Sequence, residues 1–461
     1  MIPKKKIFLL LPDGVGLRNF TFSTFVDEGK KRGYDITYWN ATPFAIKEMG
    51  YQEIKLGGTM NPKTDLLKRA RKEIELNAFK SKTKNPVFSY YSFRPTTKTL
   101  KQKIKNTLVK WYAWKYQNKL PALRKELQQS ERQSPYYKHC LATLKEEQPA
   151  LVFCTNQRPV NAIAPLTAAQ DLGIPTATFI FSWDNLPKAT MVVETDYYFV
   201  WSEHMKAEML FYYPYIKENQ IISTGTPQFE MHFDAALKQS REAFCDAHKL
   251  DPNKKYLCFS GDDVTTSPHD PVYLKDVAET IRNLNQQKDQ WRILFRRCPV
   301  DFSNRFEEVL QSYVTEIQSL PPLWEKMGAG WNTVLPTKED NALLLNTVAH
   351  SELVINVGSS MIFDAVCHAT PCVYIAYNPE EGVLQKDIHS IYNYIHFQSM
   401  PREAPVFWLK NKEALPEILT NLDQKKGSTL EAAQSWFQTI NQHPPQNASK
   451  RIWEGIKKSI Q

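Results

Sequence analysis

The chain has 461 residues, 42% of them hydrophobic and 12% aromatic, which is more than one core usually organises and predicts two α/β domains of roughly 200 residues each. Its 7 cysteines, scattered and never spaced as Cys-x-x-Cys, argue against a disulfide framework and a structural zinc site and point to a reducing cytoplasm. The formal charge of +9 is concentrated rather than spread, but no helix-turn-helix, RNA-recognition or zinc pattern goes with it, so nucleic acid is not an expected partner.

In chain order, 6–11 is a short apolar run behind Lys4 to Lys6, stopped by Pro12-Asp13-Gly14. It predicts a buried parallel strand and is too short for a signal-peptide core or a membrane span. A helix is expected from near Phe20, and a strand at 35–39. From Leu76 to Lys125 there is no acidic residue. Within that stretch Leu100, Ile104, Leu108 and Trp111 recur at helical spacing among Lys101, Lys103, Lys105, Lys110, Lys115 and Lys119, with Tyr112, Trp114 and Tyr116 interleaved. Such a helix fits two readings: one lies on an anionic membrane surface, and the other packs its apolar stripe on the core beneath a solvated lysine face.

Strands are predicted at 150–154 and 176–181, with a helix at 163–172 between them closed by Gly173-Ile174-Pro175, and at 197–201 and 220–223. This alternation is that of a doubly wound sheet. A helix over 234–249 and the break Leu250-Asp251-Pro252-Asn253 precede a second alternation, with strands at 256–260, 292–295, 333–335, 353–356, 372–375 and 406–408. The closing segment is helical, interrupted by His443-Pro444-Pro445. The expected domains are 1–235, with a basic helical insertion at about 76–145, then 236–427, and a tail 428–461 that folds back toward the first domain.

The sharpest local pattern is Leu353-Val354-Ile355-Asn356-Val357-Gly358-Ser359-Ser360, a buried-strand sequence running into a small-residue turn and then helical sequence over 361–368. Unpaired N–H groups at a helix start receive phosphate, so Gly358, Ser359 and Ser360 are expected to hold a diphosphate, with Asp364 one helical turn on to meet ribose hydroxyls. An ordinary serine cap explains the same residues. Three further loops follow strands of this half, where open parallel sheets bind ligands. Gly261 and Asp262 are expected near the donor phosphates or the transferred sugar, Arg296 and Arg297 on the pyrophosphate charge, and Pro336 and Asp340 where backbone amides read a base. In the first half Asp13 is the expected base for an acceptor hydroxyl, with Gly14 and Gly16 letting an acceptor or the donor sugar come close and Asn19 expected to bind it. Turn formation alone also accounts for Asp13 and Gly14. Asp184 is the alternative base, with Trp183 as a flat face for a sugar ring and Asn185 as a hydrogen-bonding group. His269, His389 and His396 are weaker candidates.

The second half resembles the donor domain of GT-B glycosyltransferases. There a strand, a glycine-containing turn, a helix with an acidic residue and a Gly-x-Pro-like exit bind the nucleoside diphosphate; Gly358, Ser360, Asp364 and Ala369-Thr370-Pro371 stand in that pattern. The departures are Asp where Glu is commoner and Ala-Thr before the proline. Asp13-Gly14-Val15-Gly16-Leu17-Arg18-Asn19, Ser182-Trp183-Asp184-Asn185-Leu186 and Thr224-Gly225-Thr226-Pro227-Gln228-Phe229 are similar to motifs of bacterial surface-polysaccharide transferases, and the region is also similar to CDP-glycerol glycerophosphotransferases.

The resemblance implies two Rossmann-like doubly wound domains facing across a cleft. It further implies a transferase moving a sugar from a nucleotide-activated donor, a UDP-sugar, to a cell-envelope or capsule glycan or a lipid-linked acceptor, in the cytoplasm or on the inner face of its membrane. No Asp-x-Asp pattern stands in a suitable loop, so neither a metal ion nor another cofactor is expected. Alternatives on the same scaffold are glycerophosphate or polyol-phosphate transfer from a CDP donor, sugar-nucleotide epimerisation, and a non-enzymatic membrane-associated scaffold.

Overall fold

The computed structural model describes residues 5–92, 97–328, 333–380 and 382–460; Lys4, part of the expected lysine flank, lies outside them. The chain divides into two compact units, one comprising Met1–Gln228, Met327–Leu335 and Ile440–Gln461, the other Phe229–Lys326 and Pro336–Thr439.

Among the described residues, unit 1 has a seven-stranded sheet of β1 (Lys6–Leu11), β2 (Asp35–Asn40), β3 (Gln52–Lys55), β4 (Leu151–Cys154), β5 (Thr176–Phe179), β6 (Tyr197–Val200) and β7 (Ile221–Ser223). All neighbours are parallel, in the order β3-β2-β1-β4-β5-β6-β7. Unit 2 has, among the described residues, a six-stranded sheet of β8 (Lys255–Ser260), β9 (Trp291–Arg296), β10 (Ile317–Ser319), β13 (Leu353–Asn356), β14 (Cys372–Ile375) and β15 (Phe407–Leu409), again parallel, in the order β10-β9-β8-β13-β14-β15. The short strands β11 (Glu325–Lys326) and β12 (Val334–Leu335) belong to neither sheet, so the strand expected at 333–335 forms but does not extend the second alternation.

The helices in unit 1 are α1 (Val15–Phe20), α2 (Phe25–Lys31), α3 (Pro62–Thr83), α4 (Leu100–Tyr116), α5 (Leu120–Arg132), α6 (Pro135–Glu147), α7 (Ile163–Asp171) and α8 (Glu203–Tyr212). Then come α9 (Arg241–His248), α10 (Asp270–Gln287), α11 (Glu307–Ser312), α12 (Lys338–Ala349), α13 (Met361–Val366), α14 (His389–Tyr392), α15 (Leu415–Thr420), α16 (Leu422–Ile440) and α17 (Ala448–Ser459).

Each sheet reverses its strand order at one place, between β1 and β4 in unit 1 and between β8 and β13 in unit 2. Open parallel sheets bind ligands beyond the carboxyl ends of the strands at such a switch point. Both strand pairs are buried along nearly their whole length, as parallel strands covered on two faces must be.

Several boundaries differ from the sequence expectation for local reasons. The first helix begins at Val15 rather than near Phe20, because Gly14 O accepts from Leu17 N at 3.2 Å and Asp13 Oδ1 from Val15 N, also at 3.2 Å. Helix α9 starts at Arg241 rather than 234, where Ser240 Oγ accepts from Ala243 N at 3.2 Å and fixes the start. Strands β3 and β10 carry no strand signal in the sequence, because Gln-Glu-Ile-Lys and Ile-Gln-Ser are short edge sequences with little apolar content.

Helices α3 to α6 form the basic insertion. Asn61 caps α3 ahead of Pro62, Thr99 and Gln102 form a capping box on α4, and Ser134 caps α6 ahead of Pro135. Leu67, Ala70, Leu123, Leu127, Tyr136 and Cys140 pack with Phe8, Leu10 and Trp39 of the sheet in one core. Helix α4 turns Asn106, Val109 and Ala113 inward and leaves Leu100, Ile104, Leu108 and Trp111 exposed. The reading in which that stripe packs on the core is therefore overturned.

Helix α17 packs on unit 1. Trp453 stacks on Phe25 and Tyr34 with ring centroids 4.8 Å apart in each pair, and its indole N–H donates to Phe25 O at 2.7 Å. The Thr224-Gly225-Thr226 turn receives this tail: Arg451 Nε donates to Thr224 O at 2.6 Å, and Asn441 Oδ1 accepts from Thr226 N at 2.9 Å. Among the described residues no helix is long and apolar enough to cross a membrane.

Candidate active site

In unit 1 the switch point brings the end of β1 beside the loop that follows β4. Asp13 is fully buried there; its Oδ2 accepts from Asn156 Nδ2 at 2.7 Å and its Oδ1 from Val15 N. Burial pushes its carboxyl up to about 6, against the opposing pull of the Asn156 and Val15 hydrogen bonds and the nearby positive charge of Arg158. A carboxylate with this pKa is ionised at neutral pH and basic enough to take a proton from a hydroxyl as it reacts.

Asn156 and Arg158 were not anticipated. The signal was present, since the predicted strand at 150–154 runs straight into the polar stretch Thr155-Asn156-Gln157-Arg158. Gln157 is structural: Val192 N and Val193 N donate to its Oε1 at 2.6 and 2.8 Å.

The glycines beside Asp13 do not open space for a ligand. A Cβ at Gly14 would lie 2.8 Å from Phe44 Cε2 and 2.9 Å from Val334 O, and one at Gly16 would lie 2.5 Å from Thr155 Oγ1. Their missing side chains serve close packing of α1. Asn19 is buried within that helix, and its carbonyl accepts from Ser23 Oγ at 2.7 Å.

Asp184 is less suited to act as a base. Ser182 Oγ and Asn185 Nδ2 donate to its Oδ1 at 2.7 and 2.8 Å, and its Oδ2 pairs with the Lys188 ammonium. Trp183 and Asn185 are both buried, so the indole offers no open face to a sugar. Lys68 and Lys72, one turn apart on α3, are each pushed down to about 8, first by burial and then by neighbouring cations that include Arg158. Lys188 adds to the repulsion on Lys72. Of these cations, Arg158 is the one whose charge also reaches Asp13.

In unit 2 the turn after β13 is held from three sides. Gly358 has φ +63°, and a Cβ there would meet Phe397 Cζ at 2.9 Å, so both backbone and space require glycine. Asn356 Oδ1 accepts from Ser359 N at 2.9 Å, Ser359 Oγ accepts from Met361 N at 3.3 Å, and Tyr374 Oη donates to Ser359 O at 2.9 Å. Ser359 is therefore part of the turn's own scaffold. Ser360 makes no side-chain cap bond and is exposed.

Asp364 is not turned out beside Ser360 as expected. It is buried, with His232 Nε2 at 2.8 Å from its Oδ1, and His232 Nδ1 lies 2.9 Å from His368 Nε2. Burial and the neighbouring His232 hold His368 down to about 4, so it is neutral near pH 7. Both contacts are satisfied when His368 donates to His232 and His232 donates to the carboxylate. The ribose role expected of Asp364 is replaced by this internal one.

Arg296 and Asp340 were expected as separate donor contacts; they bind each other. Arg296 Nη2 lies 2.9 and 2.7 Å from the two Asp340 oxygens, which also accept from Leu323 N at 2.9 Å and Trp324 Nε1 at 2.7 Å. Both side chains are buried. Arg297 Nη2 donates to Ser303 O at 2.7 Å, while its Nε is buried with no hydrogen-bond partner among the described residues. Pro336 is buried ahead of α12, which Thr337 caps.

After β8, Gly261 N donates to Arg296 O at 2.9 Å, and a Cβ added to Gly261 would meet nothing nearer than 3.4 Å. Asp262 N donates to Asp270 Oδ2 at 2.6 Å. Burial, then neighbouring negative charge, raises Asp262 to about 7; burial raises Asp270 equally far. Arg305, unanticipated, donates to Asp262 O and to Asp301 Oδ2 at 2.6 and 2.7 Å. Among the described residues no group of three or more His, Cys, Asp or Glu side chains is placed to hold a metal ion.

Two doubly wound parallel sheets, each with its loops gathered at a switch point, define the GT-B fold. Solved structures of similar fold include a sugar-nucleotide epimerase, a glycosyltransferase and a cell-wall polymerase. A UDP-N-acetylglucosamine 2-epimerase matches with TM-score 0.53 at 11% identity, over 99% of this chain and 96% of that one. A glycosyltransferase from Rickettsia africae matches with TM-score 0.52 at 12% identity, over 99% and 98%. The wall teichoic acid polymerase TagF matches with TM-score 0.51 at 12% identity, over 99% and 89%. At these identities the likeness carries the fold alone. No protein-family model matches the chain, and none of the curated proteins compared with it does.

Proposed function

We propose that the chain is a glycosyltransferase that moves a sugar from a nucleotide-activated donor, a UDP-sugar, to a cell-envelope or capsule glycan or a lipid-linked acceptor, without a metal ion. The observation that carries this reading is Asp13: a buried carboxyl at the switch point of unit 1, raised to about 6, fixed by Asn156 and within reach of the Arg158 charge. Unit 1 supplies the base, and Arg158, whose charge reaches Asp13, favours an acceptor that carries negative charge. Unit 2 supplies the donor grip, with the Gly358 to Ser360 turn and the Gly261 loop flanking its switch point and Arg297 offering charge to the departing diphosphate. Arg296, Asp340 and Asp364 support that grip from behind.

A second reading, epimerisation of a UDP-sugar, is favoured by the likeness to a UDP-N-acetylglucosamine 2-epimerase. A third reading, polyol-phosphate transfer from a CDP donor, rests on the sequence similarity to CDP-glycerol glycerophosphotransferases, and the likeness to the wall teichoic acid polymerase TagF shows that this fold serves polymer synthesis. Calorimetric titration with UDP, GDP, CMP and CDP, followed by incubation with the UDP-sugars of any UDP-binding protein, separates the three. Tight UDP binding with turnover only when an acceptor is added supports transfer. A new sugar nucleotide formed without acceptor overturns it in favour of epimerisation, and preference for CDP overturns it in favour of polyol phosphate.

A further inference from the structure

Helix α4 faces outward with the wrong side for a solvated helix. Leu100, Ile104, Leu108, Trp111 and Trp114 are 75, 53, 39, 46 and 68% exposed. At about 100° per residue these five positions fall within one arc of roughly 120°. The opposite arc holds Asn106, Val109 and Ala113, which are buried, with Asn106 Oδ1 accepting from Arg69 Nη2 of α3 at 2.8 Å. The outward stripe is therefore fixed by the packing of the inner one.

Charge flanks the stripe on both sides. Lys103 and Lys110 fall along one edge, and Lys101 and Lys105 along the other, all exposed. Lys115 stands beside the indole of Trp111, with Nζ 5.2 Å from the ring centroid. No acidic residue occurs between Leu76 and Lys125 to offset them. Apolar side chains along the middle, tryptophans among them, and lysines along both edges are what a helix lying in the plane of a lipid interface presents: the middle enters the acyl boundary while the ammonium groups stay at the headgroups.

We infer that α4 is an interfacial helix that docks unit 1 on a membrane surface rich in anionic phospholipid. The charge complementarity selects lipid phosphate over a neutral apolar partner, and the inference holds whichever donor unit 2 binds.

The test uses the full chain with vesicles of phosphatidylcholine, with and without phosphatidylglycerol, in sedimentation assays. The wild type is expected to sediment with the anionic vesicles, and this binding to weaken as salt is raised. The variant I104S/W111S/W114S should bind at least about tenfold more weakly and keep the wild-type melting curve, because each side chain is already exposed. The variant K103E/K105E/K110E should lose the anionic preference. Sedimentation of either variant at the wild-type level overturns the inference, as does a wild type that binds neutral vesicles equally well or none. Concentration-dependent dimers abolished by I104S/W111S/W114S, in a protein that ignores vesicles, would assign the stripe to a second copy of the chain and overturn it too.

Discussion

His232 Nε2 lies 2.8 Å from Asp364 Oδ1, and the other nitrogen of the same ring meets His368 at 2.9 Å. The acidic residue that follows the phosphate-type turn is thereby tied to the 3-10 turn Pro227–Phe233, which carries His232, and not left open to a ligand. Substituting either partner leaves a buried polar group unsatisfied, at about 1–3 kcal/mol. His232→Ala and Asp364→Asn should therefore destabilise to similar extents in urea unfolding and combine less than additively in the double variant. Strict additivity would show that the pair does not act as a unit.

The same chain sets a pH dependence. His368 has a folded pKa of about 4 against an ordinary 6.5, so as pH falls the unfolded state takes up this proton first. Its contribution to stability is complete above about 6.5 and is lost as pH drops toward 4. His368→Gln should flatten the fall in unfolding midpoint between those limits relative to the wild type.

Asp13 carries the chemistry in the proposed reaction. A base with a pKa of about 6 makes the rate rise with pH through that value and level off above it. Asp13→Asn should lower turnover by about 10²-fold or more while UDP affinity, which the proposed reaction assigns to unit 2, stays within about twofold. Calorimetry with UDP and an acceptor-dependent turnover assay read the two separately.

Arg296 and Arg297 are adjacent in sequence and opposite in consequence. Removing Arg296 strands the Asp340 carboxylate in a buried site, and breaking such a pair costs about 3–5 kcal/mol. Arg296→Ala should show this loss in urea unfolding, and replacing both partners with apolar residues should recover much of it. Arg297→Ala should change stability little and weaken UDP binding about tenfold.

At Gly16 a methyl group would stand 2.5 Å from Thr155 Oγ1 and 2.8 Å from Leu11 Cδ2. Gly16→Ala should cost about 1–3 kcal/mol, and adding Thr155→Ala should restore part of it by vacating the nearest atom. Chemical unfolding of the two single variants and the double checks the coupling.

What could be read directly from the residues was whatever depends on local pattern. Buried parallel strands are continuous apolar runs of four to six residues, so β1, β4, β8, β13 and β14 stood out in place, and their alternation with helices gave the two doubly wound sheets. Asp13 and the Gly358 turn were visible because both sit at the point where such a run ends. The basic stretch around α4 was visible from charge alone.

Which side chains face each other was settled only by the tertiary structure. Asp340 and Arg296 lie 44 positions apart and His232 and Asp364 132 apart, so no local spacing distinguishes a carboxylate that waits for a ligand from one that closes on a buried cation or imidazole. The glycines at 14 and 16 look open in sequence and are filled by Phe44, Val334 and Thr155 from distant segments. On α4 the periodicity marked an apolar stripe but not its direction: Val109 and Ala113 are the residues α3 has room for, and the larger side chains are left outside. Sequence determined the strands, the turns and the reach of the charge; packing across the chain decided which polar groups remain available for chemistry, because burial and pairing are relations between residues that only the folded chain brings together.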